Sequence, residues 1–224
     1  MNKAALVRKV FLLFAASILV LCIMFFLPAG TLDYWQAWAY LAVVLLPAAL
    51  VVLYFLKTDP AFLERRLKMR EKEAPQKFVQ KLGAFIFIFG FPIPGLDRRF
   101  GWSSVPAEWS VAADAAVFLG YLLVFLVFRE NSYAGRTIRV EKGQKVISTG
   151  PYSVIRHPMY LGMLLLYLAT PLALGSWWAL PVFSLILPLL VLRILNEEEV
   201  LRRGLKGYPA YCQKVRYRLI PLVW

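Results

Sequence analysis

Six apolar stretches divide the chain, at roughly 10–28, 38–56, 82–96, 110–128, 159–175 and 177–195. A helix needs about 20 apolar residues to cross the hydrocarbon core of a bilayer. The first, second, fourth and sixth stretches reach or approach that length. The third is short and carries Pro92, Pro94 and Gly95. Only Gly175-Ser176 parts the fifth from the sixth, which predicts a tight helical hairpin. The pattern therefore predicts an all-α integral membrane protein with five to six transmembrane helices, the last two a hairpin.

The polar positions add an orientation. With the N-terminus inside, segments 1–9, 57–81, 129–158 and 193–224 face the cytoplasm, and they hold all of the 26 Lys and Arg except Arg98 and Arg99. Cytoplasmic loops carry such an excess of Lys and Arg, so both termini are expected in the cytoplasm. Residues 1–28 have the basic start and apolar core of a signal peptide. Pro28-Ala29-Gly30 leads at once into another span, however, and a retained first helix is expected. Trp35, Trp38 and Tyr40 fall where an interfacial aromatic belt would lie. Along PAFLERRLKMREKE, 60–73, the apolar Phe62, Leu63, Leu67 and Met69 suit either an amphipathic segment on the inner surface or a solvated loop.

Composition agrees with the pattern. Of the 224 residues 60% are hydrophobic, against about half in a soluble domain, and the mean hydropathy is +0.63. The net charge of +13 is distributed as inner-leaflet charge that attracts anionic lipid, not as a nucleic-acid footprint. Cys22 and Cys212 offer neither a disulfide framework nor a metal spacing. Asp114, one turn inside the fourth span, is expected to snorkel or stand neutral.

Candidate chemistry gathers after residue 128. The chain divides into a four-span transmembrane scaffold, 1–128, and a catalytic region, 129–224, made of the hairpin and a cytosolic C-terminal cap, with Gly135, Gly143 and Gly150-Pro151 as breakers. GPYSVIRHPMYLG, 150–162, holds the chain's only histidine. Pro158 suits the first position of a helix. The spare N–H groups of Met159, Tyr160 and Leu161 would then favour an anion beside Arg156 and His157. Gly162 admits a close neighbour or a ligand.

The sixth span ends in RILNEEE, 193–199. Acids at a helix C-terminus are unfavourable unless paired. Arg193 and Glu197, four apart, can pair, which leaves Glu198 available. The hairpin returns both ends to one membrane face. Anion-binding donors on one side and a carboxylate on the other suit a zwitterion such as an amino-acid moiety. QKVISTGPY, 144–152, is a short β-like piece and a turn whose backbone can read a base edge or a ribose.

GPY-x-x-x-RHP-x-Y-x-G, an apolar hairpin, a Glu cluster, Y-x-x-Y at 208–211 and RLIP at 218–221 resemble the isoprenylcysteine carboxyl methyltransferase family. The likeness covers about 129–224, and DRRFGWSSVP, 97–106, resembles the loop before the fourth span in bacterial members. Lys206-Gly207 stands where the family has Phe-Gly.

The resemblance implies a multi-pass enzyme of a bacterial inner membrane that uses S-adenosylmethionine. Gln144, Lys145, Val146, Ile147, Tyr152, His157, Pro158, Met159, Tyr160 and Glu198 would bind the cofactor. Arg193 would contact the acceptor, a lipophilic molecule from the bilayer, most simply an isoprenylcysteine-like carboxylate. A phospholipid or small isoprenoid is the alternative acceptor. A sterol-reductase-type NADPH enzyme is the alternative chemistry, and a scaffold or transporter subunit the non-enzymatic reading.

Overall fold

In a computed structural model of the chain, residues 2–68, 74–134, 140–141 and 143–224 are described. Met69 and Gly135 lie outside them. Among the described residues every regular element is helical, and five helical segments are long and apolar enough to cross a membrane. The protein is an all-α integral membrane protein.

The first two spans are α1, Lys3–Ala29, and α2, Trp35–Thr58. Asn2 caps α1 by accepting from the Ala5 N–H at 2.8 Å. Next, α3, Pro60–Lys68, turns inward: Phe62 is buried against Phe55 and Phe128 rather than lying on a membrane surface.

The third crossing, Phe78–Phe100, is composite. It comprises α4, Ala74–Phe85, a π-helical turn, Ile86–Gly90, and α5, Ile93–Phe100. Pro92 and Pro94 remove backbone donors there, and the wider turn re-satisfies the ladder inside the bilayer. The fourth span is α6, Ala107–Glu130.

The fifth stretch forms α7, Pro158–Ala173, of only 16 residues. At 1.5 Å per residue it is about 24 Å long, short of a hydrocarbon core of about 30 Å. Gly175, at φ +74°, makes the tight turn that follows. The sixth crossing starts and ends later than the apolar pattern suggests. It consists of α8, Leu180–Ser184, and α9, Ile186–Gly204. Glu197, Glu198 and Glu199 therefore lie within α9, not at its end. Arg202 and Arg203, the (i, i+4) partners of Glu198 and Glu199, occupy the last turn, where cations are favourable. The tail forms α10, Tyr208–Lys214.

Packing fixes where the polar chemistry stands. α6 and α7 cross at a glycine pair: a Cβ on Gly120 would fall 2.7 Å from the Gly162 carbonyl oxygen. At one end of the bundle, buried Asp97 accepts from the Ser103 N–H at 2.7 Å, from the Ser103 hydroxyl at 2.6 Å and from the Ser176 hydroxyl, tying the α5–α6 and α7–α8 turns together.

Tyr40, expected in the aromatic belt, is buried and paired with Thr170 Oγ1 at 2.8 Å. Trp35 and Trp38 are exposed as expected, and Trp102, Trp109 and Trp178 join them. Asp114 is buried, with no hydrogen-bond partner at Oδ1. At the other end Leu205, Tyr208, Tyr211 and Val215 cluster with Val140, Val146 and Leu201, which seats the tail over Val140 and Val146.

Candidate active site

The N-terminal end of α7 and the C-terminal part of α9 border a cavity of about 770 Å³, counting its open mouth. Of the residues anticipated from sequence, Gln144, Lys145, Val146, Ile147, Tyr152, His157, Met159, Tyr160 and Arg193 all line it. Pro158 and Glu198 do not. The 144–148 segment has no regular secondary structure, so the β-like expectation is corrected: no strand occurs among the described residues. Its shape comes from the Glu141–Gln144 turn, where Gln144 Oε1 accepts from the Glu141 N–H at 2.8 Å, and from Val146 packing on the tail cluster.

The helix-start expectation also changes. The Tyr160 and Leu161 N–H groups donate to the His157 carbonyl at 3.0 and 3.3 Å, which occupies two of the donors expected to face an anion. Pro158 does begin α7. Gly162 admits a close neighbour, with Gly120 and Val124 against it.

Glu198 is not available, contrary to expectation. It is buried and surrounded by Arg156 Nη1 at 2.8 Å, Arg218 Nε at 3.1 Å, His157 Nε2 at 3.4 Å and Arg202 Nη2 at 3.4 Å. A buried carboxylate persists only when paired and hydrogen-bonded in this way. The cluster also anchors the tail: the Arg156 and His157 N–H groups each donate at 2.9 Å, to the Tyr217 and Arg218 carbonyls, and Arg156 Nη2 donates to the Arg216 carbonyl at 3.0 Å.

Glu197 lines the cavity in its place. The Tyr160 hydroxyl donates to Glu197 Oε2 and accepts from Arg193 Nε at 3.0 Å, so a phenol stands in the expected Arg193–Glu197 pairing. The His157 ring stacks on Tyr160 at 5.6 Å.

Tyrosines form the opposite wall. Tyr152 accepts from Asn131 Nδ2 at 3.0 Å, and burial pushes its hydroxyl up to about 12. The Tyr211 hydroxyl donates to the Tyr152 carbonyl at 2.7 Å. Tyr208 is buried and its hydroxyl has no partner, as is true of Arg156 Nε. Sequence reasoning missed Asn131, Glu197, Tyr208 and Tyr211 as wall residues. The Y-x-x-Y spacing was a usable signal for the last two, since both Tyr208 and Tyr211 are buried.

A second, larger cavity, of about 1490 Å³ with its mouth, lies between the third span and the hairpin. Its walls are mostly apolar, among them Val79, Phe87, Ile88, Ile186 and Leu190. Met159, Tyr160 and Arg193 line both cavities.

Residues 109–206 match the family model described as phospholipid methyltransferase. A similar curated protein is Delta(14)-sterol reductase TM7SF2 of Mus musculus, 36% identical over 105 residues. That match takes in 43% of this chain and 25% of the reductase, so the chain matches about a quarter of that relative's length.

Proposed function

We propose that the protein is a membrane methyltransferase that uses S-adenosylmethionine and takes a lipophilic acceptor from the bilayer. The observation that carries this reading is the meeting of a polar cytosolic cavity and an apolar membrane-side cavity at Met159, Tyr160 and Arg193. A water-soluble donor and a greasy acceptor can then face each other across one wall. The phospholipid methyltransferase match over 109–206 supports the same chemistry.

The polar cavity fits such a donor. It combines a cation, Arg156, and a carboxylate, Glu197. Gln144 to Ile147, Tyr152, His157, Met159 and Tyr160 would hold the cofactor, with Pro158 setting the start of α7. Glu198 would serve the cofactor indirectly, by fixing Arg156, His157 and the tail. When bound, S-adenosylmethionine supplies an electrophilic methyl group on a sulfonium. Such a displacement gains chiefly from alignment, and the chain provides it through the Arg193–Tyr160–Glu197 array. Arg193 would orient an acceptor carboxylate; an isoprenylcysteine-like O-methyl product is the first expectation and a phospholipid or small isoprenoid product the second.

The likeness to the sterol reductase favours one other reading, an NADPH-dependent reductase on the same plan. Glu197 in the cavity wall weighs against a phosphate-rich nucleotide. Mass spectrometry of lipid extracts incubated with methyl-labelled S-adenosylmethionine tests the proposal. Label should enter a lipophilic product with the protein, and Arg193→Ala should abolish it while leaving S-adenosylhomocysteine binding. Absence of any labelled product in every extract would remove the methyltransferase reading.

A further inference from the structure

Beyond α10 the chain closes a tight turn. The Val223 and Trp224 N–H groups donate to the Ile220 carbonyl at 3.2 and 3.0 Å. Leu222 sits in that turn at φ +66°, the one left-handed residue other than glycine among the described residues. Such backbone favours glycine, and a bulky side chain there is an outlier. The fold does not explain the leucine by packing, since Leu222 is 86% exposed and Val223 beside it 76%. A strained turn that holds two apolar side chains clear of the protein points to a partner outside the chain.

The base of the turn is firmly placed. The Arg218 and Leu219 N–H groups donate to the Trp224 main-chain oxygen at 2.8 and 3.0 Å, and the Arg218 guanidinium lies 5.2 Å from the centre of the Trp224 ring. Leu219 is buried, and it and Trp224 pack with the apolar cluster of α7 and α9 that contains Tyr160, Leu164 and Ile194. The turn thus stands beside the hairpin, at the end of the bundle that holds the polar cavity. On α9 itself Leu187, Val191 and Leu195, spaced four apart, are exposed as on a lipid-facing span.

Charge narrows the partner further. Residues 200–224 contain six Lys and Arg and no Asp or Glu. Lys214 and Arg216, just before the turn, are exposed. Apolar side chains beside such cations suit the interface of a bilayer with anionic headgroups.

We propose that the turn at 220–224 is a membrane anchor: Leu222 and Val223 enter the acyl-chain boundary of the leaflet at the cavity's end of the bundle, and Lys214 and Arg216 meet anionic headgroups. The anchor goes beyond the methyltransferase reading and does not depend on it. It links the bilayer to the cavity through the chain. Arg218, at the base of the turn, holds Glu198, and Tyr208 and Tyr211 of the same tail line the cavity. Anionic lipid should therefore seat the tail more firmly.

Lipid quenching tests the contact. In the full-length protein lacking Cys22 and Cys212, a bimane label on Val223→Cys is compared with one on Gln213→Cys, in nanodiscs of phosphatidylcholine with or without phosphatidylglycerol. Doxyl-labelled lipid should quench the label at 223 severalfold more than the label at 213, and phosphatidylglycerol should strengthen the quenching. Quenching at 223 by aqueous iodide and not by doxyl lipid would overturn the anchor. Shielding from both quenchers would mean that protein, a second copy or another chain, covers the turn, and would overturn it equally. Quenching indifferent to phosphatidylglycerol would remove the headgroup contact.

Leu222→Asn tests the coupling. Asparagine takes left-handed backbone more readily than leucine, so the melting temperature in detergent should hold or rise. In phosphatidylglycerol nanodiscs, however, amide exchange over residues 205–219 should quicken about tenfold, as the loss of one leucine's burial allows. Unchanged exchange would show that the tail seats without the anchor. A melt lowered in detergent would mean that Leu222 packs within the protein. Either result overturns the proposal.

Discussion

Arg193 Nε donates to the Tyr160 hydroxyl at 3.0 Å, and the same hydroxyl donates to Glu197. One phenol thus links the first turn of α7 to two positions one turn apart on α9, and it does so on the wall common to both cavities.

Removing that oxygen should disconnect the array without unfolding it. Tyr160→Phe keeps the ring that stacks on His157 and packs with Leu164 and Ile194. Arg193 and Glu197 lose their common partner. Methyl transfer should fall about tenfold or more, as hydrogen bonds to charged groups are worth about 1.5–3 kcal/mol. Steady-state assay beside a thermal melt checks this, with the melt expected to shift little. Undiminished turnover would take Tyr160 out of the reacting geometry.

Glu198 should behave as a structural keystone. Glu198→Ala leaves Arg156 buried with its closest ionic partner gone, and breaking a buried pair costs about 3–5 kcal/mol. The tail should become sensitive to protease after residue 204. Glu199→Ala, whose residue is exposed, should move stability by about 0.5 kcal/mol or less. Unchanged stability with lost S-adenosylhomocysteine binding in Glu198→Ala would instead mean that this carboxylate touches the ligand.

The helices and the hairpin were legible because hydropathy and the Gly175-Ser176 break are one-dimensional signals. So was half of the cavity wall, since RHPMY and the 144–152 segment carry nine of its eighteen residues. The roles of Glu197 and Glu198 were not legible. Adjacent residues on a helix point about 100° apart, and which one faces the cavity depends on the rotation of α9. Glu198 turns away from the cavity toward Arg218, a partner 20 residues further along the chain that helical periodicity does not reveal. The spare donors of α7 were overestimated for a similar reason, because the His157 carbonyl takes up two of them.

The α6–α7 crossing should tolerate no added methyl. Gly120→Ala places a Cβ 2.7 Å from the Gly162 carbonyl oxygen and 3.0 Å from Leu166 Cγ. Backbone cannot yield as a side-chain end can, so a loss of about 1–3 kcal/mol is expected. Gly83 meets nothing within 4 Å, so Gly83→Ala should be neutral or slightly stabilising. Thermal melts of both variants in the same detergent make the comparison, and equal melts would mean the helices are further apart.

The charge distribution predicts that both termini face the cytoplasm, and labelling tests this. In a background lacking Cys22 and Cys212, a cysteine at exposed Ser104 should react with an impermeant maleimide added to intact cells, and one at exposed Gln213 should be spared. The reverse pattern would put the polar cavity on the wrong side for a cytosolic donor.

Binding of S-adenosylhomocysteine against NADPH bears most directly on the proposed chemistry. In isothermal titration of the purified protein, S-adenosylhomocysteine should bind and NADPH should not, and Glu197→Gln should weaken the former about tenfold. Saturable NADPH binding, with no heat from S-adenosylhomocysteine, would contradict the methyltransferase assignment and support the reductase one.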